Sequence, residues 1–182
     1  MLPTTKKDFR LLRLKEAAKA GYPGGMTRGK TRIVIKKNKE QVINFFGAGE
    51  FKIPLQRTFE DDHKKICSEL SKILKLNPIR KQLNKETVAA KFVDTFLYQL
   101  TKFDEYYYLS KKLNLIIDNR VITKLRKISD NELKIFLDSY PNSVYEATYH
   151  QYQDLQIQIT EFIQRSKNPF ILKKIDLNIL WP

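Results

Sequence analysis

Apolar residues recur along most of this chain at helical spacing, most clearly between residues 84 and 103. There Val88, Ala89, Phe92, Val93, Phe96, Leu97, Leu100 and Phe103 make a stripe too broad for a single neighbour. The pattern predicts a helix, opened by Asn84, that buries against two others. Upstream, Phe59, Ile66, Leu70, Ile73 and Leu74 form a narrower stripe behind Thr58 as its cap. Glu60, Asp61 and Asp62 in its first turn, with Lys72 and Lys75 in its last, suit the helix dipole. Pro78 ends that helix. A shorter helix is expected over residues 104–117. A brief one, carrying Val121, Ile122 and Leu125, should follow a cap at Asp118 or Asn119. Ser129 with Glu132, and Ser143 with Glu146, have the spacing of capping boxes, each predicting a further helix, the second running to about residue 166.

Both ends are patterned differently. Pro23, Gly24, Gly25 and Gly29 deny residues 22–29 a helix. Residues 31–35 and 41–46 are rich in β-branched and aromatic side chains, and the polar stretch 36–40 between them predicts a small β-hairpin. Residues 1–30 read as a mobile arm with no more than a turn or two of helix near 9–20. At the other end, residues 170–181 are apolar without a clear period. The expected fold class is mainly α: a compact bundle of about six helices over residues 58–166, with a helix-turn-helix-like element. A basic, glycine-containing arm with the hairpin (1–57, hairpin 31–46) precedes it, and an apolar strap (167–182) follows. In the strap, Phe170, Ile171, Leu172, Leu180 and Trp181 are the candidate partner-binding side chains, with Trp181 suited to fill a pocket.

Charge sharpens this picture. The chain carries a formal +14, and residues 1–39 hold twelve of its Lys and Arg against only Asp8 and Glu16. All six glycines also fall within the first 49 residues. A cationic, glycine-punctuated front end points to a polyanion partner. No run of eighteen apolar residues exists, so no membrane partner is expected. The single cysteine, Cys67, excludes an internal disulfide and suits a reducing compartment. The nucleus is the favoured location. A basic helix near residues 9–20 keeps a mitochondrial address as the alternative, although the two acids of the front end, Asp8 and Glu16, and its lack of serine count against a transit peptide.

Catalytic chemistry finds little support. His63 and Cys67, at i and i+4, share a helix face, but zinc needs two further ligands and the chain adds only His150 and carboxylates. The plainer expectation is a surface histidine beside a buried thiol. Glu60, Asp61 and Asp62 read as helix-start charge, not as a magnesium site. Gly47 and Gly49 lack the strand and helix of a nucleotide cradle, and Gly29, Lys30 and Thr31 lack its leading glycine. The expectation is therefore no enzyme, no metal and no cofactor. Tyr98, Tyr106, Tyr107, Tyr108, Tyr145, Tyr149 and Tyr152 could stack on unpaired bases, but at helical spacing tyrosines more often line a core edge.

A second cationic cluster stands at Arg120, Lys124, Arg126 and Lys127, flanked by Lys111, Lys112 and Lys134. A short charged helix beside a capped one is the layout of a helix-turn-helix. Residues 122–133 also resemble the later helices of the TFIIS N-terminal domain, a small helical bundle of transcription elongation factors. The likeness rests on Ile122, Leu125, Arg126, Lys127, Ser129, Asp130, Glu132 and Leu133. Val144 stands near that family's tryptophan, and the upstream spacing differs. The resemblance implies a protein-docking bundle in the transcription machinery.

These features predict a non-catalytic nucleic-acid-binding accessory subunit of a larger complex, with DNA in a chromatin or DNA-modifying assembly slightly favoured. Arg10, Arg13, Arg28, Lys30, Arg32, Lys36 and Lys37 would contact phosphates without regard to sequence, and Arg120, Lys124, Arg126 and Lys127 would add groove contacts. Two alternatives stand beside it: a structural RNA-binding protein of a ribosome-like, organellar particle, and a protein-interaction scaffold built on the TFIIS-like bundle.

Overall fold

The computed structural model describes residues 5–23, 33–35, 38–80 and 82–166. Among these the chain is mainly helical: α1 (Lys6–Ala20), α2 (Asn38–Ala48), α3 (Phe59–Ile73), α4 (Lys85–Leu100), α5 (Asn119–Ile128), α6 (Asn131–Ser139) and α7 (Tyr149–Arg165), with short 3-10 helices at Gln56–Thr58 and Asp104–Lys111. The expected broad stripe proves to be the axis of the molecule. Every residue of α4 from Thr87 to Asp94 is buried, because α1, α3 and α7 all pack against this one helix. Asn84 caps it by accepting from the Thr87 N–H at 3.1 Å.

The front of the chain departs from expectation. Thr5 and Asp8 form a reciprocal capping box, and α1 runs for 15 residues, burying Leu14, Ala17 and Ala18 in the common core. What read as an arm is thus, over residues 6–20, a packed element of the body. Gly21 lets it close on α4, since a Cβ there would lie 2.8 Å from the Thr95 carbonyl oxygen.

The hairpin does not form. Residues 41–46 lie in α2, where Val42, Ile43 and Phe46 share one helical face and Phe46 stacks on Phe96 of α4 at 4.1 Å. Their β propensity is weaker than the gain from burying that face against α1 and α4. The earlier half of the expected hairpin finds another partner: Val34 bridges Leu76, with Ile35 N–H donating to the Lys75 carbonyl at 3.1 Å and Asn77 N–H to the Ile33 carbonyl at 2.8 Å. Buried Asn38 secures this junction, donating to the Ile73 carbonyl at 3.0 Å and accepting from the Lys75 N–H.

Three caps also move. Thr58 bonds the Asp62 carboxylate and no backbone N–H, so it does not cap α3. Ser129 spends its N–H closing α5 on the Leu125 carbonyl, at 2.8 Å, and Asp130 caps α6 through the Leu133 N–H at 2.9 Å. Ser143 lies in a turn, and α7 starts later from a reciprocal box of Thr148 and Gln151. Neither the Ser129 nor the Ser143 hydroxyl finds a partner among the described residues. The helix expected over 104–117 ends at Lys111, after which Leu113, Leu115 and Ile117 alternate inward. Here Gln156 of α7 stands in for a neighbouring strand, accepting from the Leu115 N–H at 3.0 Å and donating to its carbonyl at 2.9 Å.

Candidate functional site

Two sets of groups carry chemistry: a buried cluster around His63 and an exposed set of cations. The cluster was missed in the sequence, where His63 read as a surface residue. It is only 2 % exposed, held in the centre by α3, α4 and α7. His63 Nε2 lies 2.8 Å from Asp94 Oδ1 and Nδ1 lies 2.8 Å from the Tyr149 hydroxyl. Asp94 also receives the Tyr152 hydroxyl and the Asn114 amide, the latter at 3.2 Å. Three donors converging on one carboxyl group is what a buried carboxylate requires. Burial opposes a charge on His63, but the neighbouring Cys67 sulfur and the Asp94 carboxylate together outweigh it, and the imidazole rises well above its ordinary value. Cys67 Sγ lies 3.6 Å from Nδ1, and burial pushes its thiol up, so it stays neutral. Cys67, His63 and Asp94 have the order of a thiol relay, with the thiol only 1 % exposed. The signal in the sequence was faint: His63 falls on the same side of α3 as Phe59, Ile66, Cys67 and Leu70, which is the buried face.

Beside it, α4 turns a second charge inward. Lys91 is buried, 3.0 Å from the Tyr145 hydroxyl and 3.6 Å from Asp118, the cap of α5. Burial pushes this ammonium down, Asp118 and Asp94 hold it up, and Arg120 opposes them.

The expected cations divide three ways. Arg28, Lys30, Arg32, Lys36 and Lys37 lie outside the described residues, as do Phe170, Ile171, Leu172, Leu180 and Trp181 of the strap. Arg13 is occupied within the molecule: it pairs with Glu105 and lies 5.6 Å over the Phe103 ring. Arg126 is exposed, but its guanidinium is engaged within the molecule, donating at 2.9 Å to the Leu137 carbonyl at the end of α6. Arg10 is exposed on α1, where its charge bears on the Tyr106 and Tyr108 hydroxyls.

Arg120, Lys124 and Lys127 are all exposed on α5, at i, i+4 and i+7. That spacing aligns them on one face, opposite Val121, Ile122 and Leu125, which enter the core. Asp118 accepts from the N–H groups of Arg120 and Val121, at 2.8 and 3.1 Å, and so fixes the start of α5. Of the tyrosines considered for stacking, only Tyr107 is exposed, at 63 %. Among the described residues no group of His, Cys, Asp and Glu could hold a metal ion, and no helix is long and apolar enough to cross a membrane. Set against protein-family models, characterised proteins and solved structures, the chain has no significant match in any of the three.

Proposed function

We propose that this protein is a non-catalytic nucleic-acid-binding accessory subunit of a larger assembly, with DNA favoured over RNA. The observation that carries the reading is the +14 surplus together with the cations that face outward on α1 and α5. Arg10 on α1 and Arg120, Lys124 and Lys127 on α5 are exposed. Arg28, Lys30, Arg32, Lys36 and Lys37 add to the cationic front end. Arg13 and Arg126 leave the proposed contact set, because each already has a hydrogen-bond partner within the molecule.

Cations that meet phosphates release condensed counterions, so affinity should fall steeply as salt rises. The experiment is fluorescence anisotropy of full-length protein with labelled duplex DNA and structured RNA between about 50 and 200 mM salt. Salt-sensitive binding to either supports the reading, and its absence for both removes it. A protein-interaction role is favoured by a separate observation. Ile128 at the end of α5 is 44 % exposed, within the segment that resembles the TFIIS bundle, and Ile135 on α6, just beyond that segment, is 71 % exposed. Co-purification of partners that survives nuclease treatment would support that second role.

A further inference from the structure

Charge at the junction of α5 and α6 is sorted, not mixed. Arg120, Lys124 and Lys127 point outward from α5, while Asp130 and Glu132 follow within five residues of Lys127. Left alone, those carboxylates would partly cancel the cationic face. Arg165, near the end of α7, draws them the other way. Its Nε lies 2.9 Å from Asp130 and its Nη1 lies 3.0 Å from Glu132, with Glu161 3.9 Å away. The Arg165 guanidinium holds the Asp130 carboxyl below its usual range, helped by the Leu133 N–H. One arginine therefore engages both acids that open α6.

Arg120 adds a second observation. It occupies the first turn of α5, where the helix dipole disfavours a cation, and its charge also works against buried Lys91. Neither effect favours a positive charge at that position within the fold, which suits a cation that serves an outside partner. From Arg120 to Lys127 the stripe rises about 10 Å along the helix, enough to meet successive phosphates. A helix can enter the major groove of B-form DNA, whereas the A-form RNA groove is too deep and narrow for it.

Resting on the nucleic-acid reading above, we infer that α5 is the duplex-DNA contact, with Arg120, Lys124 and Lys127 on phosphates. Arg165 is a positioning residue that keeps Asp130 and Glu132 off that face. It touches no DNA itself.

The test uses the full chain and a labelled DNA duplex of arbitrary sequence, with single-stranded DNA and duplex RNA as further arms. Arg120→Gln/Lys124→Gln/Lys127→Gln should flatten the dependence of log affinity on log salt by about 2.7, at about 0.9 for each lost phosphate contact. Arg165→Gln should weaken duplex binding about threefold, and adding Asp130→Asn/Glu132→Gln should restore it. Asparagine caps helices about as well as aspartate, so Asp130→Asn keeps the start of α6, and thermal melts of the variants report folding independently. Failure of restoration overturns the role given to Arg165. Unchanged binding by the triple variant overturns the α5 contact while the broader reading survives. RNA or single strands binding as tightly as duplex DNA overturn the choice of DNA. Wild-type protein that binds none of them removes both the inference and the reading beneath it.

Discussion

Asp94 is the side chain on which the centre of the molecule turns, because His63, Tyr152 and Asn114 all donate to it from different elements. Removing one partner of a buried charged pair strands the other, at about 3–5 kcal/mol. Replacing Asp94 with Asn should therefore cost about 3 kcal/mol of unfolding free energy, read by urea denaturation. The pair also makes stability depend on pH. His63 is raised in the folded state from an ordinary value of 6.5, so the native protein holds that proton more tightly than the unfolded chain. Its contribution is complete below about pH 6.5 and is lost as pH rises through the raised folded value. Wild-type protein should thus lose stability relative to His63→Gln on the alkaline side, and parallel curves would refute the charged pair. Gly49 is a different kind of residue-scale constraint. Its φ of 65° lies in the left-handed region, and a Cβ would stand 2.9 Å from Leu14 Cδ1. Gly49→Ala should cost about 1–2 kcal/mol in a thermal melt.

Among the elements, the legible ones had amphipathic stripes wide enough to decide their own burial. α4 was read with its cap, and α3 with its apolar face. Where two conformations competed, local signals misled. Residues 41–46 carry β-favouring side chains, yet Val42, Ile43 and Phe46 also match a helical face, and packing on α1 with Phe46 stacked on Phe96 of α4 decides between them. Residues 113, 115 and 117 are buried and 114 and 116 half-buried, an extended alternation that the apolar Ile116 hides in the sequence, and it took Gln156 from α7 to satisfy the Leu115 backbone. For α1, the Thr5–Asp8 box was present in the sequence but the surrounding charge suggested an arm. The two descriptions predict opposite outcomes for deletion of residues 1–23. Loss of a loose arm would leave the melting temperature unchanged. Loss of α1, with Leu14, Ala17 and Ala18, opens the core against α2 and α4, and should lower it by well over about 10 °C or abolish soluble folding.

At the scale of the whole molecule, α4 acts as a hub that directs charge as well as packing. One of its side chains reaches inward to His63 and another to the cap of α5, so the helix bearing the outward cations is anchored to the same axis as the core. The candidate surface was only half legible. The cluster of Arg120, Lys124, Arg126 and Lys127 was visible as composition, but its division was not. Arg126, exposed like its neighbours, donates to a carbonyl near the end of α6, and Arg165, far along the chain on α7, faces Asp130 and Glu132.

Helix content, the identity of the central helix and the uneven distribution of cations follow from the order of residues alone, because each depends on spacing or on counting. Which cations stay exposed, which serine or threonine caps, and whether His63 is wet or buried depend on groups distant in sequence. Those outcomes belong to tertiary structure, since desolvation and pairing are properties of neighbours brought together only when the chain closes on itself.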